Sequence, residues 1–232
     1  MSENSTVPQP AMPSSANLII VLVMIAMMSG FLVVLTDQLT ADRIAANEQA
    51  ALERAIFTVL PEATQSRSYI LSAEGLSLLA EGEKISNDKQ AVYAGYDDEG
   101  NITGLAMVAA ARGYQDVVKT LYGYSLETEC VTGFTVLLST ETPGLGDKIS
   151  SDSDFQANFD CLEAKLNADG SAVANPIQTV KNGTKTDPWQ IDAISGATVT
   201  STAVGNGLEE STVRMLPLLA KHKSSLQMTL TD

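Results

Sequence analysis

Leu18 to Leu35 reads LIIVLVMIAMMSGFLVVL, a run without a charge and interrupted only by Ser29 and Gly30. As a helix it would span about 27 Å at 1.5 Å per residue, close to the roughly 30 Å hydrocarbon thickness of a bilayer. A helix apolar on every face has no side to offer water. The run therefore predicts one membrane-spanning helix over residues 18–39. A cleaved signal peptide is the rival, but it calls for a basic leading segment and a small-residue cleavage site, and neither is clear here. Residues 1–17 are rich in Ser, Pro, Ala and Asn, hold no Lys or Arg, and are expected to be a disordered lead-in. The uncharged run from Leu18 to Leu35 offers no ion pathway of its own.

Behind the span the chain is ordinary for a globular domain, with 44% hydrophobic and 18% charged residues overall. The net charge of −14 argues against nucleic acid, because phosphate recognition needs clustered Lys and Arg. It argues equally against docking on anionic lipid through basic patches. Two cysteines, Cys130 and Cys161, and one histidine, His222, cannot build a cysteine–histidine zinc set or a four-cysteine iron–sulfur site. The cysteines are either part-buried thiols or a disulfide, and the second requires an oxidising compartment. Arg43 and Arg54 follow the span and nothing basic precedes it, which leans toward a cytoplasmic C-terminal domain.

Apolar residues at Ile44, Ala51, Leu52, Ala55, Ile56 and Val59 predict a helix over 41–60, stopped by Pro61 and continuous with the span. A short helix or strand is expected near Leu76 to Leu79. Alternation in 91–96, a turn cluster at 97–101 and an apolar return over 102–109 predict a β-hairpin. A strand is expected over 131–138, a loop over 141–146, a helix over 154–166, a short strand over 177–180 and a terminal helix over 198–221. There is no internal repeat. The fold class is α+β: one N-terminal membrane helix, then a single α+β domain over residues 40–232.

The chemistry concentrates in DAISGATVTS, Asp192 to Ser201. Ser195, Gly196 and Ala197 are small, so the chain can turn sharply and a bulky group can approach the backbone. Hydroxyls gather at Ser195, Thr198, Thr200, Ser201 and Thr202 where a helix begins, and helix N-termini attract phosphate. Plain capping by Ser and Thr accounts for the same residues. A second segment, ETPGLGDKI from Glu141 to Ile149, reads as a Pro/Gly turn.

Through these two segments the chain resembles the FMN-binding domain shared by the G subunit of the Rnf ion-translocating electron transport complex and the C subunit of the sodium-pumping NADH:quinone oxidoreductase. The matching residues are Asp192, Ser195, Gly196, Ala197 and Thr198, which fit D-x-x-S/T-G-A-T, together with the ETPGLG loop at family spacing. The helix containing LERAIFTVLPEA and the piece ARGYQDVV also match, and the compact chain favours the Rnf G subunit. The resemblance implies FMN attached covalently to Thr198 through a phosphoester, a link made from FAD by a dedicated flavin transferase. Ser195, Gly196 and Ala197 would shape the surface that the phosphate and transferase use. Thr142, Gly144 and Leu145 would lie beside the isoalloxazine ring, and Lys181 near the phosphate. Gly113 and Tyr114 are expected to be packing residues.

The implied function is electron carriage among the membrane and redox subunits of an ion-translocating oxidoreductase, with the lipid bilayer contacted by one helix. No catalytic acid–base set and no metal site are expected. The family topology puts the flavin domain on the periplasmic side of a bacterial inner membrane, against the lean of the two arginines. Long domains translocate largely regardless of flanking charge. The alternatives are the sodium-pump C subunit, a flavinylated reductase outside either complex, noncovalent FMN, and a non-redox anchored assembly subunit.

Overall fold

The computed structural model describes residues 14–72, 75–79 and 90–222. The chain divides into two compact units between Ala50 and Ala51. One helix, α1 (Ser15–Val59), runs through the apolar segment and on to the position before Leu60, so the span and the predicted helix over 41–60 are one element. The helix already begins at Ser15, inside the expected lead-in; residues 1–13 of that lead-in lie outside the described residues. By length and composition α1 can cross a membrane.

The second unit is built on one antiparallel sheet of β1 (Gln65–Ser72), β2 (Gly75–Leu78), β3 (Gln90–Tyr96), β4 (Ile102–Arg112), β5 (Val117–Ser125), β6 (Cys130–Leu138) and β7 (Leu162–Glu163). The order is β2-β1-β3-β4-β5-β6-β7. β8 (Gln178–Val180) and β9 (Gln190–Asp192) form a separate parallel pair. The helix α2 (Ser153–Gln156) is a single turn, and α3 (Thr198–Lys221) closes the domain. The predicted hairpin, the strands over 131–138 and 177–180 and the terminal helix are all present. Near Leu76 the element is a strand.

The sheet is covered on both faces, and strand alternation sorts the side chains between them. Val92, Ala94, Leu105, Met107 and Tyr122 face one core with Leu208, Met215 and Leu219 of α3. Tyr93, Ala106 and Leu121 face the other with Ala55, Ile56 and Val59 of α1. On the α3 side a buried polar contact fixes the register: Tyr122 Oη and Ser211 Oγ lie 2.8 Å apart, and Ser211 Oγ donates to the Val108 carbonyl at 3.3 Å.

The α1 side is set by missing side chains. Gly95 pairs with Gly104 and Gly123 with Gly133 across the strands, leaving a bare trough for Val59 and Leu60. A Cβ at Gly133 would stand 2.8 Å from the Val59 carbonyl oxygen and 2.9 Å from its Cα. A Cβ at Gly123 would strike the same carbonyl. Backbone cannot rotate aside as a side chain can. Gly133→Ala is therefore expected to destabilise the domain by about 3 kcal/mol, the upper range for overpacking. Urea midpoints would measure it, and a loss under about 0.5 kcal/mol, the size of a neutral surface change, would show that the helix end yields.

The expected helix over 154–166 is not formed. Asp152 caps α2 by accepting the Phe155 N–H at 2.9 Å, a 3-10 turn follows over Ala157–Phe159, and the chain then joins the sheet as β7. Phe155 and Phe159 sit four residues apart, as in a helix, because both pack on Phe134, with the Phe134 and Phe159 rings stacked at 4.4 Å. Beyond them Leu162 and Glu163 pair with Val131 and Cys130, and Cys161 is disulfide-bonded to Cys130. Strand pairing overrides the helical period.

Candidate functional site

Three turns of one kind meet the expected site residues. In each, the fourth residue's N–H donates to the first residue's carbonyl: Leu145 to Thr142 at 3.1 Å, Ala197 to Ile194 at 3.0 Å, and Thr184 to Lys181 at 3.0 Å. The third residue is Gly144, Gly196 or Gly183, with φ of 77°, 84° and 75°. This is the pattern of a type II turn, whose third position requires positive φ. Pro143, with its fixed φ, suits the second position of the first turn. A Cβ at Gly144 or Gly196 would meet nothing within 4 Å, so backbone conformation, not space, demands glycine there.

The Ile194–Ala197 turn delivers the chain into α3. The cap position is Ala197, which makes no side-chain capping bond. The hydroxyls therefore do not serve as caps. Ser201 Oγ accepts the Ile194 N–H at 3.1 Å and donates to the Ala197 carbonyl at 3.0 Å, holding the turn from inside. Ser195, Gly196 and Thr198 are exposed, and Ala197 is buried. Thr198 occupies the first helical position, on a 24-residue helix whose N-terminus carries a partial positive charge.

Asp192 is engaged by the turn that follows β8. Its Oδ2 accepts the Gly183 N–H at 2.9 Å and its Oδ1 that of Thr184 at 3.4 Å. Asn182 donates to the Ala193 carbonyl at 2.9 Å. The turn bearing exposed Lys181 is thus stitched to the stretch leading into Thr198. Asn158, buried and not singled out from sequence, completes the stitch: it accepts the Asp192 N–H at 3.0 Å and the Lys185 ammonium at 3.1 Å.

Glu141, first residue of ETPGLG, was also unassigned, and it is 7% exposed. Its Oε2 accepts the Thr200 hydroxyl at 2.6 Å and its Oε1 the Gln115 N–H at 2.9 Å. Burial works to raise its pKa; the hydrogen bonds from Thr200 and from the amides of Gln115, Asp116 and Tyr114 outweigh burial and hold the carboxyl below the usual range. Gln115 Nε2 also donates to Thr142 Oγ1 at 3.0 Å. The ETPGLG loop, the turn after β4 and the first turn of α3 are joined through this one side chain. The expectation that Tyr114 packs internally is overturned: it is 73% exposed, because the turn is held by its backbone and by Gln115 rather than by its ring.

A glycine turn leads an exposed hydroxyl into the uncapped start of α3, and the domain that carries it is of the FMN-binding class. The FMN-binding domain family model matches residues 113–212, and the RnfG N-terminal region model matches residues 20–59. The G subunit of the ion-translocating oxidoreductase complex of Methanosarcina acetivorans is 35% identical over 56% of this chain and 62% of its own. The G subunit of the Na(+)-translocating ferredoxin:NAD(+) oxidoreductase complex of Acetobacterium woodii is 33% identical over 52% of each. The match thus spans less than two thirds of either relative. The G subunit of the ion-translocating oxidoreductase complex of Vibrio vulnificus is 31% identical over 75% of this chain and 76% of its own. The solved NqrC of Shewanella oneidensis shares the fold, with TM-score 0.61 over 79% of this chain and all of that one, at 15% identity. The chain belongs to the family of G subunits of ion-translocating oxidoreductase complexes. With the apolar helix, this places it at a membrane.

Proposed function

We propose that Thr198 Oγ1 carries FMN in phosphoester linkage and that the domain passes electrons between other subunits of an Rnf-type complex. The observation that carries this reading is the exposed Thr198 hydroxyl at the uncapped start of α3, behind the Gly196 turn. A phosphate ester there meets amide N–H groups and the positive end of the helix. Attachment balances as attack of the threonine oxygen on the FMN phosphorus of FAD. A phosphorus–oxygen bond to Thr198 forms, the pyrophosphate bond breaks, AMP leaves, and the hydroxyl proton passes to the flavin transferase. Bound flavin supplies one- and two-electron transfer.

The chain's own residues position it. Ser195, Gly196 and Ala197 leave the approach to Thr198 open. Thr142, Gly144 and Leu145 border the ring, and Lys181 offsets charge near the phosphate. A covalent tether keeps the carrier in place at any dilution and near its partner subunits. The test is expression with a FAD-dependent flavin transferase: the chain should fluoresce on a denaturing gel and gain the mass of FMN less water on the peptide containing Thr198. A chain without that mass would sink the proposal.

Residues 18–39 are proposed to span a bacterial inner membrane and residues 40–232 to lie on the periplasmic side. The Cys130–Cys161 disulfide supports that side, since disulfides persist in oxidising compartments. A C-terminal reporter active only in the periplasm should be active. Activity of a cytoplasmic reporter instead would reverse the placement.

A further inference from the structure

The segment from Ser153 to Phe159 forms two short turns rather than one long helix, and Phe134 fixes the rings of Phe155 and Phe159. Between those two residues in sequence, Asn158 is 4% exposed and directs its carboxamide at β9. Its Oδ1 accepts the Asp192 N–H at 3.0 Å, and its Nδ2 donates to the Asp192 carbonyl at 3.3 Å. One side chain thus takes both main-chain groups of one residue, as a neighbouring strand would. β8 holds the opposite edge: Val180 pairs with Asp192, and its carbonyl accepts the Ala193 N–H at 3.0 Å. The carboxamide is fixed end for end. Lys185 brings only protons to Oδ1, at 3.1 Å, and the Phe155 carbonyl accepts from Nδ2 at 3.0 Å.

From Asp192 onward the main chain is fully engaged. The Ala193 carbonyl accepts from Asn182 at 2.9 Å, the Ile194 N–H donates to Ser201 Oγ at 3.1 Å, and the Ile194 carbonyl accepts the Ala197 N–H at 3.0 Å. Thr198 therefore stands just beyond a segment held at every main-chain polar group from Asp192 to Ile194. Asn158 ties that segment to the phenylalanine-anchored turns. Displacement at phosphorus needs the attacking oxygen in line with the leaving group, and a misplacement of about 1 Å can cost about a hundredfold in rate.

We propose that Asn158 is a positioning residue for flavin attachment: by gripping the Asp192 main chain it holds the root of the Ile194–Ala197 turn, and with it the place of Thr198 Oγ1. It acts through the backbone, and it rests on the attachment reading above. The step it serves forms the phosphorus–oxygen bond at Thr198 and breaks the pyrophosphate bond of FAD. AMP leaves, and the hydroxyl proton passes to the transferase.

The test is a steady-state assay with the full chain in detergent, a purified FAD-dependent flavin transferase and saturating FAD. Covalent flavin is read by gel fluorescence as the concentration of the chain is varied. Asn158→Ala is expected to lower kcat about tenfold with little change in KM for the chain, because the exposed residues Ser195 and Thr198 are untouched. Asn158→Asp keeps the shape and the Lys185 contact but has no proton for the Asp192 carbonyl. It should lower kcat as well, and it decides the matter if Asn158→Ala does not fold. Lys185→Met leaves both Asp192 bonds in place and should stay within about twofold of the wild-type kcat. Gly133→Ala, on the α1 side of the sheet, should lose stability and keep its kcat within about twofold. Unchanged kcat in the Asn158 variants overturns the inference, and so does a rise in KM without a fall in kcat. An equal loss in Gly133→Ala would assign the effect to stability, and an equal loss in Lys185→Met would assign it to the ammonium; either overturns the inference. A wild-type chain that gains no covalent flavin would instead overturn the attachment reading beneath it.

Discussion

Thr198→Ala is expected to abolish the fluorescent band on a denaturing gel while leaving the fold intact. The hydroxyl is exposed, and no hydrogen bond among the described residues uses it. Alanine is favourable in a helix, so the change in stability should stay within about 0.5 kcal/mol, as for surface positions elsewhere. The loss of flavin, by contrast, should be complete, because no phosphoester forms without the oxygen. Thr198→Ser should restore the band in part, having the oxygen without the methyl group that stiffens its rotamer. Ser195→Ala supplies the control, since Ser195 lies three residues away and is also exposed. A band that survives Thr198→Ala and disappears in Ser195→Ala would move the attachment to the turn itself.

The second large effect lies at the disulfide. Cys130 and Cys161 are 31 residues apart and close a loop that contains the ETPGLG turn, α2 and the stacked phenylalanines. By the loop-entropy relation a cross-link of that separation contributes about 3.5 kcal/mol. Cys130→Ser/Cys161→Ser, or reduction of the native chain, should lower the thermal midpoint by about 10 °C for a domain of this size. Circular dichroism of the detergent-solubilised chain with and without reductant would measure it. Equal midpoints would mean that the bond contributes nothing, and would remove one support for a periplasmic domain.

Much of the architecture is legible in the residues. α3 runs over the predicted 198–221, because its apolar stripe and the SGAT turn before it agree. The hairpin over 91–109 is readable because Asp97 to Asn101 interrupts two apolar runs. β1 and β5 are not legible in the residues alone. β1 has only Tyr69, Ile70 and Leu71 as an apolar core within polar flanks, and β5 carries residues for both faces of the sheet, so neither alternates cleanly. The turns at Thr142 and Ile194 could be read locally because glycine and proline act on their own neighbours. Glu141 and Asn158 could not: their decisive partners are Thr200, 59 residues on, and Asp192, 34 residues on. A buried polar group shows its worth only once folding has brought its donors to it.

The glycine trough under Val59 has a mechanical consequence. Because a main-chain carbonyl seats directly on β5 and β6, no side chain cushions the joint. Load carried by the last turn of α1 passes straight into the middle strands, which are the hardest to peel because each has a neighbour on both edges. The Val59 side chain is itself buried in the second core beside Ala55 and Ile56. The opposing positions 123 and 133 admit only the smallest amino acid, so drift in sequence should be frozen at the two glycines that receive the carbonyl.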